Sequence, residues 1–226
     1  KGICQKIIRK YRERTMKPVI CTKLGEPKLL EIKEVDKPTI NKDEVLIKVE
    51  VAGVNFPDAL LVQGKYQIVI DPPFIPGNEV CGIIEEKGEN VDIPVGTKVI
   101  GIPPIGGFAE FVTINKNLVI PVNMNFDSLA GASLPINYGT SYYALKRRAN
   151  AQSGESLLVL GASGGIGTAT IQLAKVMGLK TICAVGSDDK AEYVKSLGGD
   201  EIVRYDQVDL KAVSYTHLRA HETVED

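Results

Sequence analysis

The clearest candidate for a functional motif is a glycine-rich loop, Leu160-Gly-Ala-Ser-Gly-Gly-Ile-Gly167. It follows an apolar run and precedes an amphipathic segment. Glycines let the chain turn tightly and let a pyrophosphate approach the backbone, while the following helix directs N–H groups at the phosphates. This context predicts a dinucleotide site, although a merely tight turn between a strand and a helix would use some of the same glycines. The residues that we expect to contact the cofactor here are Gly161, Ser163, Gly164, Gly165, Ile166 and Gly167.

The residues after the second predicted strand choose between the two nicotinamide cofactors. An NAD site usually carries Asp or Glu at this point to accept from the ribose 2′-hydroxyl, and this chain has Val185-Gly186 instead. Ser187 and Lys190 offer a hydroxyl and a cation, which suit a 2′-phosphate. The pair Asp188-Asp189 argues for NADH, but it is better explained as the N-cap of the following helix. The sequence therefore favours NADPH.

Residues that commonly bind metal ions are few and scattered in this chain. The four cysteines form no Cys-x-x-Cys pair, which argues against a disulfide framework or a cysteine zinc site and favours a reducing compartment. His217 and His221 are the only histidines, and with Glu222 they imitate a helical metal motif inside a tail that we interpret as artefact. We therefore predict no metal site.

Two kinds of sequence period divide the body of the chain. Between Pro18 and Pro121 apolar residues alternate with polar ones, and turn residues such as Pro76-Gly77 separate the short segments. This pattern predicts an antiparallel β-rich domain. The strands that we predict are Asp43–Gly53, Val80–Glu86, Lys98–Gly101, Phe108–Val112 and Leu118–Ile120.

Helical periodicity replaces the alternation after Asn125. Asp127 suits the N-cap of a helix over Ser128–Leu134, and a second helix is predicted over Gly139–Arg148. A β-α-β-α-β series follows, which indicates a doubly wound parallel sheet. Its predicted elements are Ser156–Gly161, Thr168–Met177, Lys180–Val185, Lys190–Leu197 and Glu201–Tyr205. Because a complete dinucleotide fold has about six strands, the sequence predicts a C-terminally truncated fragment.

The composition of the 226-residue chain is that of an ordinary globular protein, with 44% hydrophobic and 24% charged residues. No apolar run reaches the roughly 18 residues of a transmembrane helix, so no membrane partner is predicted. From residue 18 onward 20 Lys or Arg stand against 27 Asp or Glu, and this acidic balance argues against nucleic acid as a partner. We expect a small-molecule substrate.

Both ends of the chain differ from its body. Residues 1–16 are basic and form either the remnant of a mitochondrial transit peptide or translated upstream sequence with Met16 as the true start. Residues 212–226 follow no structural pattern and resemble sequencing read-through. The location is accordingly predicted to be cytoplasmic or mitochondrial.

Several segments together resemble one family, the zinc-independent medium-chain dehydrogenases/reductases of the quinone oxidoreductase branch. The resemblance covers about residues 17–211 and rests on the glycine loop and four further segments. These are Val51–Asp58, Gly64–Gln67, Pro73–Glu79 and Tyr138–Ala144. It implies an α/β protein with a GroES-like β-rich substrate domain at residues 17–125. It also implies a partial Rossmann domain, a doubly wound parallel sheet, at residues 126–211.

The resemblance also assigns roles to single residues. Asn55 and Tyr66 would be the catalytic residues and would line the substrate side of the nicotinamide. Thr140 would touch the nicotinamide ring, and the glycine loop would hold the pyrophosphate. Lys190 and Tyr205 would bind the 2′-phosphate of NADPH.

The zinc sites of related enzymes are absent from this sequence. Zinc-dependent relatives carry a Cys ligand near Asn55 and a His ligand where this chain has Asn78, and their four-cysteine lobe is replaced by the short segment 101–107. Neutral amides cannot supply the thiolate and imidazole that hold Zn²⁺. The resemblance therefore implies hydride transfer without a metal.

Three functions remain open on the sequence. The first is an NADPH-dependent oxidoreductase that transfers hydride to a quinone or an activated enone. The second is an enoyl-thioester reductase, which would share both domains and differ in its pocket. The third is a non-catalytic NADPH-binding protein. The resemblance also implies a homodimer for the complete protein.

Overall fold

The structure, a computed structural model, describes residues 14–208 of the chain. The predicted tail, with His217 and His221, lies outside the described residues, as does most of the predicted leader. The chain divides into two compact units, one ending at Pro135 and one beginning at Ile136. The first unit extends beyond the predicted domain of residues 17–125, because a helix at Ser128–Gly131 packs against its sheet.

The first unit is built around a five-stranded antiparallel sheet. Its strands, in spatial order, are β8 (Phe111–Asn115), β5 (Glu44–Ala52), β6 (Val80–Lys87), β7 (Lys98–Gly101) and β9 (Val119–Pro121). Two short antiparallel pairs precede it, β1 (Thr15–Met16) with β4 (Val35–Asp36) and β2 (Val19–Ile20) with β3 (Glu31–Ile32). The predicted antiparallel β-rich domain is confirmed.

The alternation that predicted β5 also describes its burial. Val45 and Ile47 are fully buried in the main core cluster, whereas Lys48 and Glu50 are exposed. Leu46 lies on the opposite face and is buried as well, at 2% exposure. The first half of β5 is therefore covered on both faces, which the alternating pattern alone did not predict.

The strand predicted at Phe108–Val112 instead begins at Phe111. The N–H groups of Gly106 and Phe108 are used elsewhere, since they donate to the carbonyls of Ile75 at 2.8 Å and Pro76 at 2.9 Å. These bonds hold Gly106 and Phe108 to the 75–77 loop, and the register with β5 begins only at Phe111.

Two short helices and two 3₁₀ turns complete the first unit. The helices are α1 (Phe56–Val62) and α2 (Ser128–Gly131), and the turns are Pro27–Leu29 and Lys116–Leu118. The predicted N-cap is confirmed, because the carboxylate of Asp127 accepts from the N–H groups of Leu129 and Ala130, each at 3.2 Å. The helix ends at Gly131 rather than at Leu134.

The second unit contains a parallel sheet in the order β10 (Ser156–Val159), β11 (Lys180–Val185) and β12 (Glu201–Arg204). Its helices are α3 (Thr140–Tyr142), α4 (Gly165–Met177) and α5 (Asp188–Ser196). A π-helical turn at Leu134–Gly139, which begins in the first unit, precedes α3, and a second at Tyr143–Arg148 follows it. This confirms the predicted β-α-β-α-β series. Within residues 14–208, none of the helices has the length and apolar character needed to cross a bilayer.

The cysteines of the described chain are all buried free thiols. They are Cys21, Cys81 and Cys183, with exposures of 1%, 0% and 0%. Burial raises the pKa of each thiol above its ordinary value.

Candidate functional site

The glycine loop connects the carboxyl end of β10 to α4, as the sequence predicted. Gly161 has a left-handed backbone with a φ of 59°, a conformation that L side chains rarely adopt. The N–H of Gly164 donates to the carbonyl of Gly161 at 2.9 Å, and the N–H of Ala162 donates to the carbonyl of Ala184 in β11 at 3.2 Å. The loop is therefore held at the edge where β10 and β11 end.

Glycine is required for different physical reasons at the three positions around the start of α4. At Gly167 a Cβ would lie 2.6 Å from the backbone of Ala162, so close packing of the helix on the loop requires glycine. At Gly165 a Cβ would lie 2.6 Å from Oδ1 of Asn137. At Gly164 the one tight contact would be 3.3 Å to a loop carbonyl oxygen, and this glycine is exposed. Packing explains Gly164 poorly, whereas the approach of a ligand to its backbone explains it well.

A buried hydroxyl network joins the loop to the helical segment that precedes it. Ser141 is 2% exposed, and its Oγ donates to the carbonyl of Asn137 at 2.8 Å and lies 3.2 Å from that of Ile166. The hydroxyl of Thr170 donates to Ser141 at 2.9 Å. Thr140, the predicted nicotinamide contact, is exposed beside Ser141. The sequence analysis did not predict this network, because Ser141 and Thr170 lie in separate segments of the chain.

The residues predicted to bind a 2′-phosphate lie at the end of β11. The ring of Tyr205 covers the backbone of Gly186. Ser187 accepts the N–H of Lys190 on its Oγ at 3.4 Å, so its own hydroxyl hydrogen is left to donate. Lys190 is exposed in the first turn of α5. Two of the predicted contacts, Ser187 and Lys190, are therefore close together in the chain, and the third, Tyr205, is brought to them by the sheet.

The prediction that Asp188-Asp189 cap α5 is wrong. Ser187 is the N-cap residue, with an extended backbone, and the two acids lie inside the first turn of the helix. The serine takes the cap because it is the residue directly before the helical backbone begins, and its short hydroxyl reaches the N–H three residues on.

Arg204 is a further cation at this edge that sequence analysis missed. The register of β11 and β12 pairs it with Val185. Its Nε and Nη2 donate to the carboxylate of Asp206 at 2.9 and 2.7 Å, and its Nη1 contacts Oδ1 of Asp188. The bond to Asp206 raises the pKa of the guanidinium, which in turn lowers the pKa of Asp206.

The predicted catalytic residue Asn55 is held by two buried carboxyl groups of the first unit. Its Nδ2 donates to Oε1 of Glu79 at 2.7 Å, and its backbone N–H donates to Oδ2 of Asp58 at 2.8 Å. Gly53 makes room for Glu79, because a Cβ there would lie 2.2 Å from Oε1. Burial raises the pKa of Asp58, against the lowering effect of N–H donors from Asn55 and Gly77. The amide of Asn55 is thus fixed in orientation.

The second predicted catalytic residue, Tyr66, is half-buried in a different set of contacts. It packs against an apolar cluster that includes Leu61, Val62 and Phe74. Each of the two residues is therefore held by the first unit, Asn55 by hydrogen bonds and Tyr66 by packing.

Asn78 has an amide side chain at the position where the zinc-dependent enzymes described above carry a histidine ligand. Its Oδ1 is buried and has no hydrogen-bond partner among the residues that the structure describes. In that same part of the chain, no three His, Cys, Asp or Glu side chains lie close enough together to hold a metal ion.

Comparisons with known proteins agree with both units. The family model of the alcohol dehydrogenase GroES-like domain matches residues 41–124, and that of the zinc-binding dehydrogenases matches residues 165–220. Quinone oxidoreductase-like protein 2 of Bos taurus is 38% identical over 202 residues, which are 88% of this chain and 57% of the relative. Quinone oxidoreductase of Rattus norvegicus is 35% identical over 196 residues, 85% of this chain and 60% of the relative.

A solved structure supports the same assignment. The quinone oxidoreductase of Thermus thermophilus, also solved in complex with NADPH, is 34% identical and superposes with a TM-score of 0.77. The match covers 88% of this chain and 63% of that one. The chain therefore carries both domains of the medium-chain dehydrogenases/reductases, its matched relatives are named quinone oxidoreductases, and the predicted α/β fold class is confirmed. It spans less than two thirds of the length of the curated relatives that it matches.

Proposed function

We propose that the protein is an NADPH-dependent oxidoreductase that transfers hydride to a quinone or an activated enone without a metal. The observation that carries this proposal is the exposed backbone of Gly164 and Gly165 at the first turn of α4, beside the end of β11. Helix N-termini of this kind bind the pyrophosphate of dinucleotides.

The residues of the second unit fit NADPH. Gly161, Ser163 and Ile166 complete the loop around the exposed glycines, and Thr140 lies exposed on the adjoining helical segment. Ser187 can donate a hydroxyl hydrogen, and the exposed ammonium of Lys190 supplies positive charge. Tyr205 offers a ring and a hydroxyl at the same edge. Bound NADPH would supply the hydride, and a proton from solvent or a hydroxyl group would complete reduction of the acceptor.

The surroundings of Asn55 favour an apolar acceptor. Its chain neighbours Val54 and Phe56 are large apolar residues that are 79% and 75% exposed. In the sequence they precede and follow a residue whose amide Glu79 holds in place. A flat, largely apolar molecule with a polar carbonyl, such as a quinone or an enone, suits that combination.

The absence of metal chemistry is part of the proposal and rests on the types of residue present. Amides at Asn55 and Asn78 stand where zinc-dependent relatives carry Cys and His, and amides are poor ligands for Zn²⁺. A quinone or enone accepts hydride at an electron-poor carbon or oxygen, so no Lewis acid is needed to ionise a hydroxyl group.

The test is to mix the purified full-length protein with NADPH and, separately, a quinone, an enone and an enoyl thioester, and to follow NADPH oxidation. We expect turnover with the quinone or the enone. Turnover with only the thioester would support the enoyl-thioester alternative instead. NADPH binding without turnover of any acceptor would identify a non-catalytic protein and contradict the proposal. The homodimer and the cytoplasmic or mitochondrial location stay predictions.

A further inference from the structure

We propose that Arg204 sets the preference of this protein for NADPH by pairing with the carboxylate of Asp188. The inference rests on the proposed function, because it concerns how the same cofactor site distinguishes its ligands. The proposed function assigns binding of the 2′-phosphate to Ser187, Lys190 and Tyr205. Arg204 adds to them because it pairs with an acidic residue that would otherwise repel that phosphate.

The sheet places Arg204 at the cofactor edge. Val185 and Arg204 are register partners at the last positions of β11 and β12. Parallel strands end at a common edge, so the side chain of Arg204 begins beside the residues that follow β11. The next residue, Tyr205, covers Gly186, which confirms that the chain after β12 returns to this edge.

The guanidinium is fixed between two carboxylates. Asp206 accepts two of its hydrogen bonds, at 2.9 and 2.7 Å, in the bidentate geometry that suits a planar guanidinium. The remaining nitrogen, Nη1, contacts Oδ1 of Asp188. The side chain of Arg204 is only 17% exposed, whereas that of Asp188 is 86% exposed. The guanidinium of Arg204 is therefore held in place by the protein and pairs with the carboxylate of Asp188, which has little other contact with the protein.

The charge of Asp188 matters because of its position. In dinucleotide sites an acid after the second strand accepts from the ribose hydroxyls and repels a 2′-phosphate, which favours NADH. Asp188 is the first acid after β11, so an unpaired carboxylate there would favour NADH in the same way. Pairing with Arg204, a cation that Asp188 shares with Asp206, offsets part of this charge, and Lys190 faces solvent at the start of α5.

The experiment measures the affinities of NADPH and NADH for the full-length protein by calorimetric titration. We compare the unmodified protein with Arg204→Gln, Asp188→Asn and the double variant. Arg204→Gln should weaken NADPH binding about tenfold, the size of one charge-assisted contact, and leave NADH binding unchanged or stronger. Adding Asp188→Asn to Arg204→Gln should restore the preference for NADPH, because the carboxylate whose charge Arg204 offset is then gone.

Lys180→Gln is the matched control. Lys180 pairs with Glu201 at 2.6 Å at the opposite end of the same two strands, so this variant removes one cation of an ion pair far from the cofactor edge. It should leave the ratio of the two affinities unchanged.

The possible failures are distinguishable. If the unmodified protein prefers NADPH but Arg204→Gln changes both affinities equally, or the double variant fails to regain the preference, this inference is overturned and the proposed function stands. If the unmodified protein binds neither cofactor, the proposed function is overturned and this inference with it.

Discussion

The ring of Tyr205 lies against the backbone of Gly186, where a Cβ would stand 2.5 Å from the tyrosine hydroxyl oxygen and 2.8 Å from Cζ. The tyrosine is 47% exposed, so a side chain at residue 186 would displace the ring without disturbing the core. Glycine at this position therefore fixes where the phenol stands.

We expect Gly186→Ala to weaken NADPH binding about tenfold through the loss of that placement, with a smaller effect on NADH. Tyr205→Phe is the companion variant, since it keeps the ring and removes only the hydroxyl. Titration with both cofactors checks the prediction, and thermal unfolding checks that the fold is retained. Equal losses for the two cofactors would show that Tyr205 does not serve the 2′-phosphate.

Lys190 is predicted to contribute a charge-assisted contact to the 2′-phosphate. Lys190→Ala should weaken NADPH binding by about 1.5–3 kcal/mol and leave NADH binding nearly unchanged. Lys195→Ala removes the same charge from the last turn of the same helix and serves as the control. A preference for NADPH that Lys190→Ala leaves unchanged, or that is absent from the unmodified protein, would refute this role.

The glycines of the loop should separate binding from folding. Gly164→Ala should weaken NADPH binding about tenfold or more while the melting temperature changes little, because a Cβ there meets only one loop carbonyl at 3.3 Å. Gly167→Ala should destabilise the unit by about 1–3 kcal/mol, because its Cβ would lie 2.6 Å from backbone atoms.

Gly139→Ala is the control for glycine replacement in a helical segment, since its Cβ would meet nothing within 4 Å. It should leave stability equal or raise it by about 0.5–1 kcal/mol. If Gly164→Ala lowered the melting temperature as much as Gly167→Ala, the exposed glycine would have a folding role and not a binding one.

Local chemistry explains why the loop could be predicted and the Arg204 contact could not. The loop is one continuous segment, and its glycines, flanking strand and following helix are all visible within it. Arg204 and Asp188 are joined only by the parallel register of β11 and β12. Asn55 and Glu79 likewise come from separate segments of the first unit, so their hydrogen bond could not be predicted from the residue types alone.

The proposed chemistry needs no metal. Elemental analysis of the purified full-length protein should find no stoichiometric zinc, because Asn55 and Asn78 replace the Cys and His ligands of zinc-dependent enzymes. Treatment with a chelator should leave turnover unchanged. Activity that a chelator abolishes and added zinc restores would place the protein outside the zinc-independent branch.

Asp58 should make the first unit depend on pH in a definite direction. Burial raises its pKa in the folded protein, so the folded state binds the proton more tightly than the unfolded state does. The carboxylate therefore costs stability as the pH rises from the unfolded pKa, about 3.9, through the folded value, and the cost is constant above it.

Asp58→Asn removes the charge and keeps an oxygen to accept the N–H of Asn55. Relative to the unmodified protein, this variant should gain stability as the pH rises above about 4, as measured by urea unfolding. A stability difference that does not vary with pH would mean that Asp58 ionises as freely in the folded protein as in the unfolded chain.

Quinones and enones are electrophiles, and the species in a protein that they attack most readily is an accessible thiolate. Cys21, Cys81 and Cys183 are 1% exposed or less, and their raised pKa values keep them as thiols. Over the described residues the chain thus presents no reactive sulfur to such compounds. At these three positions a protein that reduces such acceptors would be protected from alkylation by its own substrates.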